Sequence, residues 1–441
     1  MNTPIYDFVN TYIEKNPSRF HMPGHKGLSF LGCEQRDITE ILGADVLSEA
    51  EGIIGESEQN ATALFGSAHT YYVTQGSTTA ICAMLALVET NRPKPLIWAA
   101  RNVHKAFIHA AALLDLDVEF LSSESENCVL KCEISPDALL KKLETSAEKP
   151  DAVYVTSPDY LGNLQDISGL ATVLKNHNIP LLVDNAHGAY LKFLPESLHP
   201  LDLGASVCCD SAHKTLPVLT GGAYLHISKN APRSCLKNAR QKSALFSSTS
   251  PSYLILQSLD LCNRYLETFP STLSACIQKI TTLKNSLKQQ GFVLSGNEPL
   301  KIVIDAAKSG LDGIKMADVL RLHNIEPEFY DKDYVTLMAT PQNTDLDFER
   351  LNSVLKMLVP KAPRTNTLFA PVESEHVCSI RQAVFSESEK IPTECAQDRI
   401  CASLTVSCPP AVPIVICGER ITKEKIKLLK YYEINEIEVI K

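Results

Sequence analysis

The chain has 441 residues, 44% of them hydrophobic and 21% charged, enough to bury a large core and to divide into two or three domains. A formal net charge of -9 argues against a nucleic-acid partner, which calls for a basic face, and reads as the solubility of an ordinary globular protein. No segment nears the ~20 predominantly apolar residues of a membrane span, and MNTPIYDFVNTYIEKNPSRF has charges and prolines where a signal peptide needs an apolar run, which predicts a cytosolic protein.

In chain order, residues 1–30 predict an N-terminal arm, a short helix followed by the polar turn FHMPGHKG. Residues 31–70 are mixed and acidic and end in a helical pattern. The chain then alternates. β-rich runs fall at Thr70–Val73, Leu96–Ala99, Val118–Leu121, Ala152–Thr156, Leu181–Asp184 and Ala205–Cys209. Helical stretches separate them at Thr78–Glu89, Lys105–Leu114, Pro136–Glu148 and Gly169–Asn176. Strands spaced by helices predict parallel βαβ units and a central sheet covered on both faces. Residues 253–292 read as long helices that leave this domain, and 293–360 return to an α+β pattern through FVLSG, LKIVIDA, GIKMADVLRLH and DYVTLMA. After a link at Val359–Pro363 comes a small C-terminal module containing SCPPAVPIVICGERI and ending in IEVIK. The boundaries are 1–30 for the arm, 31–260 for a large domain, 261–360 for a small domain and 361–441 for the module.

The 14 cysteines are scattered and read as reduced thiols used as small core residues. The pairs Cys128/Cys132 and Cys208/Cys209 lack a partner CxxC or a nearby pair of histidines, so no metal site is expected.

Four stretches carry chemistry. In DSAHKTLPVLTGG, Lys214 follows an apolar run, at the strand end where α/β proteins place ligands, with the small polar neighbours Ser211, His213 and Thr215. A surface lysine in a loop is the plainer reading. In PLLVDNAHGAY the apolar run ends in Asp184, then Asn185, Ala186, His187 and Gly188. A carboxylate at the end of a buried strand is costly without a partner, and a protonated pyridine nitrogen is one such partner. An Asp capping a helix is the alternative. In TYYVTQGSTTAICAML a strand leads through Gly76, Ser77 and Thr78 into an apolar helix, whose free N–H groups suit a phosphate. An ordinary helix cap fits equally. In WAARNVHKAF, His104 sits just past a strand, where its ring stacks on a flat cofactor or simply caps a helix. The order phosphate turn, strand-end Asp, strand-end Lys is the signal.

HMPGHKG, TQGST, RNVHKA, TSPDYLG, VDNAHGAY, DSAHKTLPVLT and STSPSYL stand in the order seen in the Orn/Lys/Arg decarboxylases, and the tail CPPAVPIVICGERI resembles that family's C-terminal domain. The resemblance covers nearly the whole chain, in the short form that lacks an N-terminal receiver-like domain. It implies an α/β, aspartate-aminotransferase-like (type I) fold that binds pyridoxal 5′-phosphate, with a mostly parallel central sheet, a smaller α+β domain and a C-terminal α+β module. By the same resemblance Lys214 forms the Schiff base, Asp184 pairs with the pyridine nitrogen and His104 stacks on the ring. Gly76, Ser77, Thr78, Ser211 and His213 hold the phosphate, and His187 lies beside the cofactor. Ser248 reaches the phosphate of a neighbouring subunit in a homodimer or larger homo-oligomer whose active site lies at the subunit interface. The implied reaction is decarboxylation of arginine, lysine or ornithine to an amine, in polyamine metabolism.

A basic substrate needs an acidic group, for which Asp45, Glu49, Glu51, Glu56, Glu58 and Glu419 are candidates beside the plainer reading of solvated faces and helix starts. The chain departs from the family at Asn185 and Tyr190 (DEAHGAH is common), at Gly221 (often Gln), at Asp398 (usually Gly) and at Cys408 (usually Tyr). An aminotransferase or lyase on the same fold, and an inactive binding protein, are the competing readings. A transaminase of this fold carries a small-domain arginine for the substrate carboxylate, and Arg321, Arg350 and Arg364 are present without a recognisable motif.

Overall fold

The computed structural model describes residues 1–121, 130–364, 374–404 and 412–441, and the backbone of 407–408. Cys128, Pro409 and Pro410 therefore lie outside the described residues, as does the side chain of Cys408. The elements run α1 (Pro4–Glu14), α2 (Ile53–Phe65), β1 (His69–Val73), α3 (Gly76–Ala86), β2 (Leu96–Ala100), α4 (Lys105–Leu114), β3 (Asp117–Leu121), α5 (Pro136–Thr145) and β4 (Ala152–Thr156). They continue with α6 (Ile167–Asn176), β5 (Leu181–Asp184), β6 (Val207–Asp210), α7 (Ala212–Thr215), β7 (Ala223–Ile227), α8 (Arg233–Ala244), α9 (Tyr253–Leu266) and α10 (Phe269–Gln289). The remainder is β8 (Val293–Ser295), β9 (Lys301–Asp305), α11 (Gly313–Leu322), β10 (Phe329–Tyr330), β11 (Tyr334–Met338), α12 (Asp345–Leu355), α13 (Ile380–Phe385), β12 (Ser388–Pro392), β13 (Ser407–Cys408), β14 (Val412–Pro413), α14 (Lys423–Tyr431) and β15 (Glu436–Ile440). The predicted alternation of strand and helix from Thr70 to Cys209 is borne out, with ends shifted by a few residues.

Two compact units result, Met1–Glu89 with Ala171–Ser271, and Thr90–Leu170 with Thr272–Lys441. In the first, the strand order is β1-β7-β6-β5. β5 and β6 are parallel, and β7 is antiparallel to both β6 and β1. Residues of β5, β6 and β7 are buried throughout, which is why β5 and β6 read as short, mainly apolar runs rather than alternating ones. Strand β7 (AYLHI) had no counterpart in the sequence reading, and it supplies the antiparallel member of a sheet expected to be mostly parallel. A parallel return needs a crossover that packs back over the sheet; here the link from β6 holds only the single turn α7 and the Gly221-Gly222 bend, so the chain reverses. α3 is apolar nearly all round, with Thr79 to Leu85 buried, the composition of an internal helix.

In the second unit β3, β2 and β4 are parallel. A four-stranded antiparallel sheet, β10-β11-β9-β8, follows, and β12 pairs antiparallel with β15. Val303, Phe329, Val412, Ile414, Leu429 and Val439 share one core, which ties the antiparallel sheet to the C-terminal segment. Helix starts are capped as their sequences specify: Ser135 caps α5, Asp312 caps α11, and Thr344 and Ser379 form capping boxes with Asp347 and Gln382. Asp398 takes φ +63°, a left-handed conformation in which Asp is among the few tolerated substitutes for the usual glycine. Among the described residues no helix is long and apolar enough to cross a membrane.

Candidate active site

Parallel β5 and β6 bring two carboxylates to the same sheet end. Asp184 closes β5 opposite Cys209 and is 2% exposed. Its Oδ1 accepts the Ala186 N–H at 3.1 Å and lies 3.9 Å from Cys209 Sγ. Burial, reinforced by the Asp184 charge, holds the Cys209 thiol well above its ordinary pKa, so Cys209 stays neutral beside it.

Asp210, at the end of β6, is fully buried and fully bonded. Oδ1 accepts from Asn185 Nδ2 at 2.7 Å, and Oδ2 meets His199 Nε2 at 3.0 Å and His226 Nε2 at 3.1 Å. Burial alone would push this carboxyl up, but the two histidines outweigh it and hold it far below the usual carboxylate range. Thr70 Oγ1 in turn lies 2.9 Å from His226 Nδ1. This buried network was not foreseen from the sequence. His199, Cys208 and Asp210 have ligand atoms within 4.8 Å of one another, a spacing a metal could use. Both Asp210 oxygens are already committed and burial keeps the Cys208 thiol protonated, so the cluster acts as a clamp on the strand end.

Immediately after Asp210 comes α7, one helical turn carrying Lys214. Lys214 Nζ lies 2.9 Å from Nε2 of His187, in the turn after β5. A Cβ on Gly188 would overlap Asn185 Oδ1 at 1.9 Å, so the turn closes only with glycine there. His213 points Nδ1 at the Gly222 carbonyl, 2.9 Å away.

The third loop is the β1–α3 turn. Ser211 Oγ donates to Ser77 Oγ at 2.7 Å, which joins the β6–α7 link to the start of α3. Gly76 has φ +75°, its N–H donates to the Gly221 carbonyl at 2.7 Å, and no atom lies within 4 Å of where its Cβ would stand. Thr78 is exposed on the same turn. Two hydroxyls and a helix N-terminus beside open space form a donor set for a phosphate. Thr74 Oγ1, on this turn, and Thr215 Oγ1, next to Lys214, are buried without a hydrogen-bond partner among the described residues. A lysine amine, a buried carboxylate and a phosphate-type donor set fit pyridoxal phosphate.

The structure thus brings Gly76, Ser77, Thr78, Ser211, His213, Lys214, His187 and Asp184 onto three adjoining loops of the first unit. Ser248 stands apart, exposed, its Oγ accepting the Ser250 N–H. His104 belongs to the second unit, where Nδ1 caps α4 by accepting the Ala106 N–H at 3.1 Å, the plainer of its two readings. Of the candidate substrate acids, Asp45 binds the Gly52 and Ile54 N–H groups at the start of α2, Glu58 is held by Arg240 at 2.5 Å and His69 at 3.0 Å, and Glu419 by Lys425 at 2.5 Å. Those three are structural, which leaves Glu49, Glu51 and Glu56. Arg321 pairs with Glu326 at 2.8 Å and Arg364 with Asp333 at 3.1 Å, so each arginine has an internal counterion.

The sequence pattern of the Orn/Lys/Arg decarboxylase major domain matches residues 3–307, and that of the C-terminal domain matches residues 366–438. The chain belongs to the Orn/Lys/Arg decarboxylase family. Like the rest of that family it is a pyridoxal-phosphate-dependent amino-acid decarboxylase. It is 30% identical to the uncharacterized protein YaaO of Bacillus subtilis (strain 168), over 97% of this chain and 94% of that one. It is 28% identical to the arginine decarboxylase of the same organism, over 97% and 93%. The lysine decarboxylase LdcF of Francisella novicida superposes with a TM-score of 0.82 at 17% identity, covering all of this chain and 81% of that one, which establishes the shared fold. An alanine–glyoxylate aminotransferase from Nostoc superposes at 0.56 with 16% identity over 69% of the chain and 85% of that structure, in keeping with the aminotransferase-like α/β class.

Two departures from the family have structural consequences. Asn185, where glutamate is common, donates its amide to Asp210, which a carboxylate could not do. Gly221, where glutamine is common, has φ +99°, and a Cβ there would stand 2.9 Å from the Thr74 carbonyl oxygen. It therefore lets the β6–β7 link lie close against the phosphate-type turn.

Proposed function

We propose that this decarboxylase acts on arginine and releases agmatine and carbon dioxide. The observation that carries the choice is the near full-length similarity to proteins named arginine decarboxylase, at 28% identity in both Bacillus subtilis and Bacillus anthracis. The internal pairing of Arg321 and Arg364 takes two of the three candidate arginines away from the transaminase reading, which wants an arginine for the substrate carboxylate.

When bound, pyridoxal phosphate supplies the electron sink for the pair left on Cα as carbon dioxide departs. The chain's residues have four tasks. Lys214 supplies the amine that holds the cofactor and is returned at the end of turnover. His187, at hydrogen-bond distance from that amine, takes or gives its proton. Asp184, desolvated at the end of β5, keeps a positive charge on the pyridine nitrogen. Ser77, Thr78, Ser211 and the start of α3 at Gly76 anchor the phosphate, with His213 bracing the link through Gly222. His104 is proposed to stack on the ring. Fixing the phosphate and the pyridine nitrogen orients the ring, and orientation decides which Cα bond breaks.

A homodimer, with Ser248 reaching the partner's phosphate, is part of this reading. Its support is the apolar exposure of Phe20 (97%), Leu31 (89%) and Leu42 (101%), with Met22, Leu28 and Phe30 also exposed, six large apolar side chains left uncovered within one stretch of sequence. A cytoplasmic setting is proposed because the cysteines of the described residues are free thiols, most of them buried, as expected in a reducing compartment.

The test is carbon dioxide release by the cofactor-loaded enzyme with arginine, lysine and ornithine offered separately, and the amines identified. Agmatine as the main product supports the proposal. Faster release from lysine or ornithine replaces the substrate, and transfer of the amino group without carbon dioxide replaces the reaction.

A further inference from the structure

The loop from β2 to α4 carries His104, and each residue leading to it is fixed. The Arg101 N–H donates to Cys132 Sγ at 3.2 Å, and the Asn102 amide donates to the Leu130 carbonyl at 3.5 Å. Val103 has no exposure, and His104 itself caps α4. The Arg101 side chain leaves this loop for a partner 312 positions along the chain.

Arg101 Nη1 donates to the Pro413 carbonyl at 2.7 Å, and Nη2 to the Ile414 carbonyl at 3.1 Å. Nη2 also lies 3.4 Å from Glu419 Oε2. The guanidinium stands over the Phe120 ring of β3, 5.4 Å from its centroid, and His376 stacks on the same ring at 5.7 Å with 20° between the planes. Glu419 is held from other sides as well. Its Oε2 accepts the Ile416 N–H at 2.8 Å and meets Lys425 Nζ at 2.5 Å, and its Oε1 lies 3.5 Å from His376 Nε2. Pro413, Ile414, Glu419, Lys425 and His376 all fall within the C-terminal domain, residues 366–438.

Glu419 would keep Lys425 as a counterion without Arg101, so charge balance alone does not require the arginine. What Arg101 adds is a tie between the C-terminal domain and the residue that opens the His104 loop. Its planar fork spans two carbonyls and packs on a ring at once, which a lysine ammonium on a flexible stem does not reproduce. A group three residues along a short loop moves with that anchor, and a displacement of about 1 Å can cost about a hundredfold in rate.

We propose that Arg101 is a positioning residue: the C-terminal domain grips it through the Pro413 and Ile414 carbonyls and Glu419, and so sets the place of His104 against the cofactor ring. The C-terminal domain is then part of the active-site architecture of its own chain, a role that rests on the ring stacking proposed for His104.

The experiment compares wild type, Arg101→Gln, His104→Ala and the double variant, all loaded with cofactor. It reads the visible circular dichroism of the bound cofactor, kcat, and the melting temperature. Expected is a weakened dichroism band in both single variants, with kcat lowered at least about tenfold in each. In the His104→Ala background, Arg101→Gln should change kcat by less than about twofold, because both changes remove the same contact. A purely structural arginine would instead lower the melting temperature and multiply its effect with that of His104→Ala. Arg101→Lys keeps a charge beside Glu419 without the fork, and takes the same comparison if Arg101→Gln does not fold. Wild-type dichroism in the Arg101 variant, or effects at Arg101 and His104 that multiply, would overturn the proposal. Wild-type dichroism and kcat in His104→Ala would remove the stacking reading and the positioning role with it. The dichroism is read without substrate, so failure of the arginine assay would touch only the proposed reaction.

Discussion

Lys214 Nζ and His187 Nε2 are 2.9 Å apart, linking the first helical turn after β6 to the turn after β5. Two nitrogens at this distance share one proton, so His187 influences when the lysine amine is available. Lys214→Ala is expected to abolish turnover and the absorbance band of lysine-bound cofactor, as read by spectrophotometry of the reconstituted protein. His187→Gln keeps a polar group in the pocket but removes a titratable one. It should lower kcat by at least about tenfold and alter the pH–rate profile. Full activity in Lys214→Ala would remove the assignment altogether.

Ser77 and Ser211 meet at 2.7 Å and belong to two different loops, so a phosphate held by both would lock those loops together. A hydrogen bond to a charged group contributes about 1.5–3 kcal/mol, or roughly tenfold to a hundredfold in affinity. Ser77→Ala and Ser211→Ala should each raise the cofactor Kd by that factor, measured by fluorescence titration of the cofactor-free protein. Their effects should not add, because each change also disturbs the other hydroxyl. An unaltered Kd in both variants would show that the phosphate is held elsewhere.

Asn185 and Asp210 form a matched pair, with the amide 2.7 Å from a carboxylate oxygen that has no exposure. Restoring the residue common in the family, Asn185→Glu, would put two carboxylates in contact in a buried site. The expected cost is about 3–5 kcal/mol of stability at neutral pH, the usual consequence of leaving a buried charge uncompensated. The cost should shrink as the solution is acidified, because protonation of the new carboxyl restores a donor. The double change Asn185→Glu with Asp210→Asn should recover part of the loss. Denaturant unfolding of the three variants checks this, and equal stability of Asn185→Glu and wild type would contradict it.

Much of the fold was legible because its signals are local. Short apolar runs bounded by turns marked β2, β4, β5 and β6, and the positions of Asp184 and Lys214 relative to those runs placed them at one sheet end. What stayed hidden depends on register. His199 and His226 look like unremarkable residues until β6 and β7 pair and bring both to Asp210. β7 is no shorter than β2, β4, β5 and β6, but it directly follows a double glycine and carries His226 within its run, which breaks the apolar signal. Glu419 and Glu58 looked like surface acids available to a substrate. Their burial follows from distant cations, Lys425 and Arg240, that no local pattern ties to them.

Glu419 and Lys425 provide the last prediction. They are 2% and 1% exposed and lie 2.5 Å apart, and the Ile416 N–H completes the carboxylate at 2.8 Å. Burial pushes Glu419 up, but Arg101 and Lys425 outweigh it, so its pKa falls below the ordinary value. A lowered carboxylate stabilises the fold above the unfolded pKa and loses that contribution as pH falls through the folded one. Glu419→Gln should therefore cost about 3–5 kcal/mol at pH 7, since it leaves Lys425 buried without its counterion, and progressively less below pH 4.5. Lys425 behaves in the opposite sense. Burial lowers it from 10.5 to about 8 despite Glu419. Between those two values the unfolded chain binds the proton and the folded chain does not, so stability from this group rises with pH. The difference in unfolding free energy between wild type and Lys425→Met should then move in favour of wild type from pH 8 to 10.5, by up to about 3 kcal/mol. Urea unfolding of both proteins across that interval reads it directly. A difference that stays level would mean that the buried lysine keeps its proton throughout and that the Glu419 pair is tighter than its surroundings imply.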